Sequence, residues 1–405
     1  MIEQDYSLFC NFDVFYTAHK LARQGKTTKK PIVKFDLEQG VNLHKLVEKM
    51  QSGTYKIHGY QNFYVYTPKK RQIQALRYDD RIVQHVLCDN YLMPYFSKRV
   101  IYDNSACQQG KGHHFALRRI TKFLHSYHNN HGANGYVLKC DILKFFPSIP
   151  HDVVKKMIGK HIKDPQVKQL FFDIIDSYKT TEVFMKKNGI KRFEHFKGKD
   201  GRWLTREIVR GVPIGNQTSQ IIGMIYLDAV DRLVKEQLHI KYYSRYMDDF
   251  ILIHPSKEYL RECLERIRYV VEKKLKLQFN DKTQIFPLKN GFQYLGFVFY
   301  LKSNGKVIKK VKKATQKRFK SRIRFLNKFY PLKKVDRMTA QSILASYHGH
   351  LKNSTNGKTI ERRMKKRLKI DISKPENEEN LIDLIYSDDE MIALSQKLNK
   401  NMQNI

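Results

Sequence analysis

Two apolar, β-rich runs, Lys241–Arg245 and Phe250–His254, are separated by only Tyr246-Met247-Asp248-Asp249. So short a gap folds the runs into a hairpin with two adjacent carboxylates at its tip. A double carboxylate between apolar strands is expensive to keep without a counter-charge. A third carboxylate is placed in the same way, because the apolar strand Tyr136–Ile142 runs directly into Asp141. The pairs Asp79-Asp80 and Asp388-Asp389 lack such flanking strands and read as polar turns. Three such aspartates form a cage of hard oxygens suited to magnesium. Two Mg²⁺ ions about 4 Å apart can activate a hydroxyl, neutralise a triphosphate and stabilise the leaving pyrophosphate in one in-line displacement.

The rest of the first 300 residues reads as mixed helix and strand. Apolar spacing predicts helices over Phe12–Arg23, Leu43–Met50, Arg81–Tyr95, Phe115–Tyr127 and Glu258–Lys274, and a further helix starting at Pro150. Short strands are expected at Phe63–Tyr66 and Gln293–Tyr300. The Lys- and Gly-rich stretch Lys186–Arg202 reads as an inserted loop or hairpin. Gly211–Gln220 (G-V-P-I-G-N-Q-T-S-Q) reads as a turn feeding one long helix with apolar positions Ile221, Ile225, Leu233 and Leu238.

Charge then narrows the partner. The chain of 405 residues has a formal net charge of +37, far beyond what solubility needs and of the sign that suits nucleic acid. From Lys302 to Lys369 there are 23 basic and 2 acidic residues, while Asp371–Ile405 reverses to 8 acidic and 3 basic. The 48 Phe and Tyr residues exclude a wholly disordered chain, and no apolar run reaches the roughly 20 residues of a membrane span. Five scattered cysteines, none in C-x-x-C spacing, argue against a disulfide framework or a zinc site. A cytoplasmic protein with reduced thiols is expected.

Asp141 in K-C-D-I-L-K-F-F-P-S-I, the Gly211–Gln220 turn, Y-M-D-D and F-Q-Y-L-G-F stand in the order and spacing of reverse transcriptase motifs. The chain from about Tyr55 to Tyr300 thus resembles the bacterial, group II intron-like reverse transcriptases. Within them it is most similar to the enzymes of diversity-generating retroelements and of antiphage defence. The resemblance implies an α+β right-hand polymerase. Residues 1–130 would be fingers with N-terminal helices, and 131–300 a palm with an insert at about 185–205. A basic helical thumb (301–370) and an acidic C-terminal extension (371–405) would follow.

The same resemblance implies roles. Asp141, Asp248, Asp249 and the carbonyl of Ile142 would hold two Mg²⁺ ions, and Lys282 in N-D-K-T would act near the leaving pyrophosphate as a general acid. Arg71 would grip the incoming triphosphate with a planar guanidinium, assisted by Lys69. Phe146 would exclude a 2′-hydroxyl, and Ile214, Gly215, Gln220, Tyr246 and Met247 would line the nucleotide pocket. Many reverse transcriptases carry glutamine where this chain has Ile214, so reduced base-pair fidelity is expected. Phe292–Phe297 would hold the primer end. Arg318, Arg322, Lys328, Arg362, Arg363 and Lys366 would contact phosphates as a group.

The implied function is synthesis of cDNA from dNTPs on an RNA template, in antiphage defence with a dedicated structured noncoding RNA. The first alternative is error-prone cDNA synthesis in a diversity-generating retroelement. The second is a non-catalytic, maturase-like RNA-binding protein. An accessory protein or a homo-oligomer is left open, and no membrane partner is expected.

Overall fold

The spacing that calls for a hairpin at Asp248-Asp249 produces one, with each strand reaching one residue further toward the tip than the sequence suggests and the first starting one residue later, at Tyr242. In the computed structural model, which describes residues 2, 5–66, 70–197, 200 and 202–372, the strands run in chain order as follows. They are β1 (Gln61–Val65), β2 (Arg71–Ala75), β3 (Tyr136–Cys140), β4 (Phe193–Lys197), β5 (Trp203–Glu207), β6 (Tyr242–Tyr246), β7 (Asp249–His254), β8 (Gln284–Pro287), β9 (Phe292–Tyr294), β10 (Phe297–Leu301) and β11 (Val307–Val311). The four-stranded sheet has the order β6-β7-β3-β8, so β7 lies directly beside β3. The pairs β1–β2 and β4–β5 are separate antiparallel hairpins, and β9, β10 and β11 form an antiparallel sheet with β10 in the middle.

The chain divides into two units. The first comprises Met1–Gly112, Leu138–Leu252 and Glu258–Gln284. Its first long helix spans Phe12–Arg23, as the apolar spacing predicts, and buries Phe15, Ala18, His19 and Ala22 on one face. Asn11 caps it by accepting from the amides of Asp13 and Val14.

Three expectations for this unit are corrected in detail. The helix expected over Arg81–Tyr95 is Tyr78–Val86, a wide turn at Leu87–Leu92 and a short Met93–Phe96 helix. Pro150 is the residue before the helix His151–Gly159 rather than its first helical position, because its ψ of 138° keeps it extended. The long helix after Gly215 is broken: Gln217–Ile225 ends, Leu227 leaves helical geometry at ψ 12°, and Asp228–Arg232 restarts.

The second unit comprises His113–Val137, Ile253–Lys257 and the chain from Ile285 onward. The strand expected over Gln293–Tyr300 is the tight β9–β10 pair, because Leu295 adopts a left-handed φ of 46° and turns the chain. His113 Nε2 donates to the Leu295 carbonyl at 2.8 Å, and the His350 ring stacks on Phe297 with centroids 4.5 Å apart. The basic segment forms helices Lys313–Phe329, Arg337–Leu351 and Gly357–Lys365. The first buries Thr315, Phe319, Ile323 and Leu326, a single helical stripe that leaves its basic residues to the remaining faces. Phe319 stacks on Tyr347 at 4.1 Å, and Leu326, Val335 and Ala340 make a small core. Lys328, Arg362, Arg363 and Lys366 are exposed, whereas Arg318 and Arg322 are half-buried.

Among the described residues, no helix is long and apolar enough to cross a membrane. The acidic extension lies outside the described residues beyond Ile372.

Candidate active site

Strand β3 ends at Cys140, and the chain then presents Asp141 at the edge of the sheet. Its backbone is fixed by a neighbouring loop. The Asp141 amide donates to the Thr283 hydroxyl at 3.1 Å, that hydroxyl donates back to the Asp141 carbonyl at 3.2 Å, and the Asn280 amide donates to the same carbonyl at 2.8 Å. Lys282 sits in this loop with its side chain exposed, its amide held by Asn280 Oδ1 at 3.1 Å. The loop carrying Lys282 is thus tied to the Asp141 backbone by one backbone bond from Asn280 and two bonds through the Thr283 hydroxyl.

The β6–β7 turn consists of Met247 and Asp248, with Asp249 opening β7. Met247 has a left-handed φ of 56°, a conformation that costs a non-glycine residue energy and must be held by its surroundings. Arg245 supplies the hold. Its guanidinium donates to the Met247 carbonyl at 3.0 Å, to the Met224 carbonyl at 2.7 Å and to both oxygens of Asp231 at 2.8 and 2.6 Å. Arg245 and Asp231 are both 0 % exposed, and Asp231 also accepts from the Tyr243 hydroxyl at 2.6 Å. On its backbone side, β6 is flanked by Asp103–Ser105: the Ser105 amide donates to the Arg245 carbonyl at 3.0 Å.

Neither Asp231 nor Arg245 is among the residues singled out by sequence. No local sequence signal marks them: the break between helices Gln217–Ile225 and Asp228–Arg232, visible only in the structure, is what brings Asp231 to β6.

The electrostatics of the tip are those of a site short of positive charge. Burial pushes the Asp248 carboxyl up to about 6, with the charges of Asp249 and Asp141 adding to the rise and Arg71 opposing it. Asp248 therefore shares its field with both other aspartates and with the arginine of the β1–β2 hairpin. Lys139, on β3, stands 3.4 Å from Asp249 Oδ1. Hard carboxylate oxygens that raise one another's proton affinity suit a divalent cation, and the donor set fits magnesium.

Among the described residues, the group of three with ligand atoms all within 4.8 Å of one another is instead His58, Asp79 and Asp80. Its oxygens are already engaged: buried Asp80 accepts from the Tyr55 hydroxyl at 2.8 Å and the His58 amide at 3.0 Å, and Asp79 pairs with Arg77 at 3.1 Å. That group anchors the start of helix Tyr78–Val86.

The other expected residues gather around the tip in part. Lys144, with φ 44°, reverses the chain after buried Ile142 into a one-turn helix that carries Phe146. Phe146 is half-buried. A Cβ on Gly223 would stand 2.8 Å from Met247 Sδ and 3.2 Å from the Phe146 ring, so glycine is what lets helix Gln217–Ile225 pack against both. The Phe146 carbonyl accepts from the Val212 amide at 3.0 Å, tying this turn to the Gly211–Gln220 block.

In that block, Ile214 exchanges hydrogen bonds with Gln74 on β2. The Ile214 amide donates to Gln74 Oε1 at 3.1 Å and its carbonyl accepts from the Gln74 amide at 3.3 Å. Gly215 has φ 129° and is exposed, Gln220 is exposed and accepts from Cys107 Sγ at 3.8 Å, and Tyr246 is half-buried, its phenol pushed up by burial. Arg71 opens β2 with its side chain exposed. Lys69 lies outside the described residues.

Residues 61–299 match the model of the family "Reverse transcriptase (RNA-dependent DNA polymerase)", which is more than half of the chain. The chain belongs to the reverse transcriptase family, and its fold is the mixed helix-and-sheet right-hand polymerase fold. RNA-directed DNA polymerisation, a nucleotidyl transfer, is the reaction for which that family is named.

No curated protein matches the sequence significantly. Solved structures with a similar chain trace include Candida albicans telomerase bound to a fragment of telomeric RNA, with 12% identity, a TM-score of 0.41, and coverage of 80% of this chain and 61% of that one. Candida tropicalis telomerase with the same type of RNA fragment has 14% identity, a TM-score of 0.43, and coverage of 79% and 59%. This chain spans about three fifths of the length of those telomerase chains.

Proposed function

We propose that the chain copies RNA into DNA from dNTPs, with Asp141, Asp248 and Asp249 holding two Mg²⁺ ions. The observation that supports this most is the sheet order, in which β7, opened by Asp249, lies directly beside β3, the strand that runs into Asp141. Bound there, magnesium would lower the proton affinity of the primer hydroxyl and offset the triphosphate charge. Arg71 orients the triphosphate from the β1–β2 hairpin, assisted by Lys69. Phe146 stands against the sugar, and Ile214, Gly215, Gln220, Tyr246 and Met247 shape the space for the base pair. Lys282, on the loop bonded to the Asp141 backbone, supplies a proton to the departing pyrophosphate. The carbonyl of Ile142 completes the metal ligands.

In functional terms, residues 1–130 act as fingers, 131–300 as palm and 301–370 as thumb. The template is a dedicated structured noncoding RNA and the setting antiphage defence. The support is the excess of 21 positive charges between Lys302 and Lys369, more than a short primer–template duplex requires. Ile214 favours a second reading, error-prone cDNA synthesis for sequence diversification, because it gives the base-pair pocket no polar side chain at that position.

The deciding experiment is primer extension on an RNA template. Wild-type protein extends with dNTPs and Mg²⁺, and Asp248→Asn abolishes incorporation while RNA binding persists. Near-wild-type extension by that variant rejects the metal assignment. Sequencing the RNA that copurifies separates the two settings: one dominant structured species supports the first, and a template repeat of a neighbouring coding sequence supports the second.

A further inference from the structure

The insert between helix Glu182–Lys187 and the Gly211 turn is a free-standing hairpin that the reaction described above does not use. Two-stranded hairpins are marginal in water unless something holds them. On one face the hold is an ionic cluster. Arg206 and Glu194, directly opposed across β4 and β5, pair at 2.8 Å. Lys276 reaches Glu194 at 2.9 Å and Asp152 at 3.1 Å, closing an ionic cluster at the hairpin's base.

That face also leaves Phe196 37% and Leu204 45% exposed, while the opposite face carries the larger exposed ring. The alternation of side chains along β4 and β5 gives this other face Phe193, His195, Lys197, Trp203, Thr205 and Glu207, with His195 bonded to Thr205 at 2.9 Å and Arg192 paired with Glu207 at 3.0 Å. Trp203 is 70% exposed and Phe193 47%, large apolar areas for a folded protein to leave in water. Lys197 lies over the indole at 5.6 Å and Arg192 over the Phe193 ring at 4.9 Å. The inner end of this face opens onto a cleft of about 470 Å³ whose lining includes Lys191, Lys273, Lys276 and Arg210 against Glu194 and Glu272.

Exposed rings interleaved with cations, leading to a cleft of net positive charge, match the chemistry of a flexible polyanion with flat bases. A duplex hides its base faces and cannot use the rings.

We propose that the outer face of the β4–β5 hairpin binds single-stranded RNA, with bases stacked on Trp203 and Phe193 and phosphates drawn to Lys197 and the basic cleft. The choice of RNA rests on the RNA-templated reading. Phe193 and the Lys197–Trp203 pair are four residues apart along β4, about 13 Å, a separation that keeps two stacked bases from sharing one ring. The hairpin would hold an uncopied stretch of the RNA.

Trp203 is the only tryptophan of the chain, so its emission reports on this face in the unmodified protein. A roughly ten-nucleotide unpaired RNA should quench it saturably, and the same sequence in a perfect duplex should quench it far less. Phe193→Ala keeps the reporter and should weaken binding about tenfold, with Phe193→Tyr restoring it. Lys197→Glu should lower the salt slope of binding by about 0.7.

Wild-type protein that extends a primer yet shows no quenching overturns the proposal and leaves the polymerase reading standing. Equal quenching by duplex, or unchanged affinity in a folded Phe193→Ala variant, also overturns it. So does emission that shifts with protein concentration alone, which would make the face a contact between copies. Loss of primer extension by the wild type would instead reject the polymerase reading.

Discussion

Arg245 and Asp231 lie 14 residues apart and form an ion pair sealed completely from solvent, Nη2 to Oδ2 at 2.6 Å, and the same guanidinium holds the carbonyl of strained Met247. A buried charge left without its partner is far costlier than the pair itself. Asp231→Ala should therefore destabilise the protein by about 3–5 kcal/mol in denaturant unfolding. Asp231→Leu with Arg245→Met should lose less stability than either single change, yet still lose primer extension, because nothing then holds Met247. Full activity in that double variant would show that the ion pair serves stability alone.

The raised Asp248 carboxyl carries a stability prediction with a definite sign. Its folded value of about 6 lies above its ordinary value of 3.8, so folding favours the protonated form. That stabilising contribution is fully present below about pH 4 and is lost as the pH rises through 6. In metal-free protein, Asp248→Asn should melt higher than wild type above pH 6, and the gap should close toward pH 4. Added Mg²⁺ should raise the melting temperature of the wild type but not of the variant. Parallel pH profiles for the two proteins would contradict the assignment.

Sugar choice tests the half-buried ring of Phe146. Phe146→Ala should admit rNTPs into extension products, read by alkaline cleavage of the product strand. Gly223→Ala should act on the same ring from behind, costing about 1–3 kcal/mol through crowding and lowering extension without altering sugar choice. Unchanged rNTP rejection by a folded Phe146→Ala protein would make the ring a packing element only.

Fidelity tests the Gly211–Gln220 turn. Ile214→Gln should lower the misincorporation rate in sequenced cDNA, since a polar side chain is returned to the base-pair pocket. Equal error spectra would remove Ile214 from the account of fidelity.

The exposed arginines of helix Gly357–Lys365 test the basic segment. Arg362→Glu with Arg363→Glu should weaken retention of copurifying RNA and reduce the salt slope by about 0.7–0.9 for each phosphate no longer neutralised. Extension of a supplied short primer–template should fall later and less. An unchanged slope would turn that charge into general affinity.

The site was legible where chemistry is written locally. Four residues between two apolar runs define the Asp248-Asp249 tip, and an apolar strand ending in a carboxylate marks Asp141. What escaped depended on partners distant in sequence. Asp231 looks like any helical aspartate until Leu227 breaks the helix and aims it at Arg245. The split of Gln293–Tyr300 turns on two positive-φ residues, Leu295 at 46° and Gly296 at 83°, of which only the glycine hints at a turn. Pro150 reads equally well as a first helical residue or as the residue before one, and only its ψ decides. The role of Lys139 beside Asp249 requires knowing that β3 and β7 are neighbours, which a β-strand's own sequence does not state.

The reciprocal bonds between Gln74 and Ile214 carry an engineering consequence. The Gly211–Gln220 turn is stitched to the β1–β2 hairpin, and a Cβ on Gly215 would come within 3.3 Å of the Gln74 carbonyl, so there is little slack between them. On the proposed reading, copying accuracy would be adjustable from Gln74, a buried residue behind that turn. A library varying Gln74 alone would then move the error rate up or down while leaving Ile214 and Arg71 untouched, offering a dial for writing mutations into DNA at a chosen density.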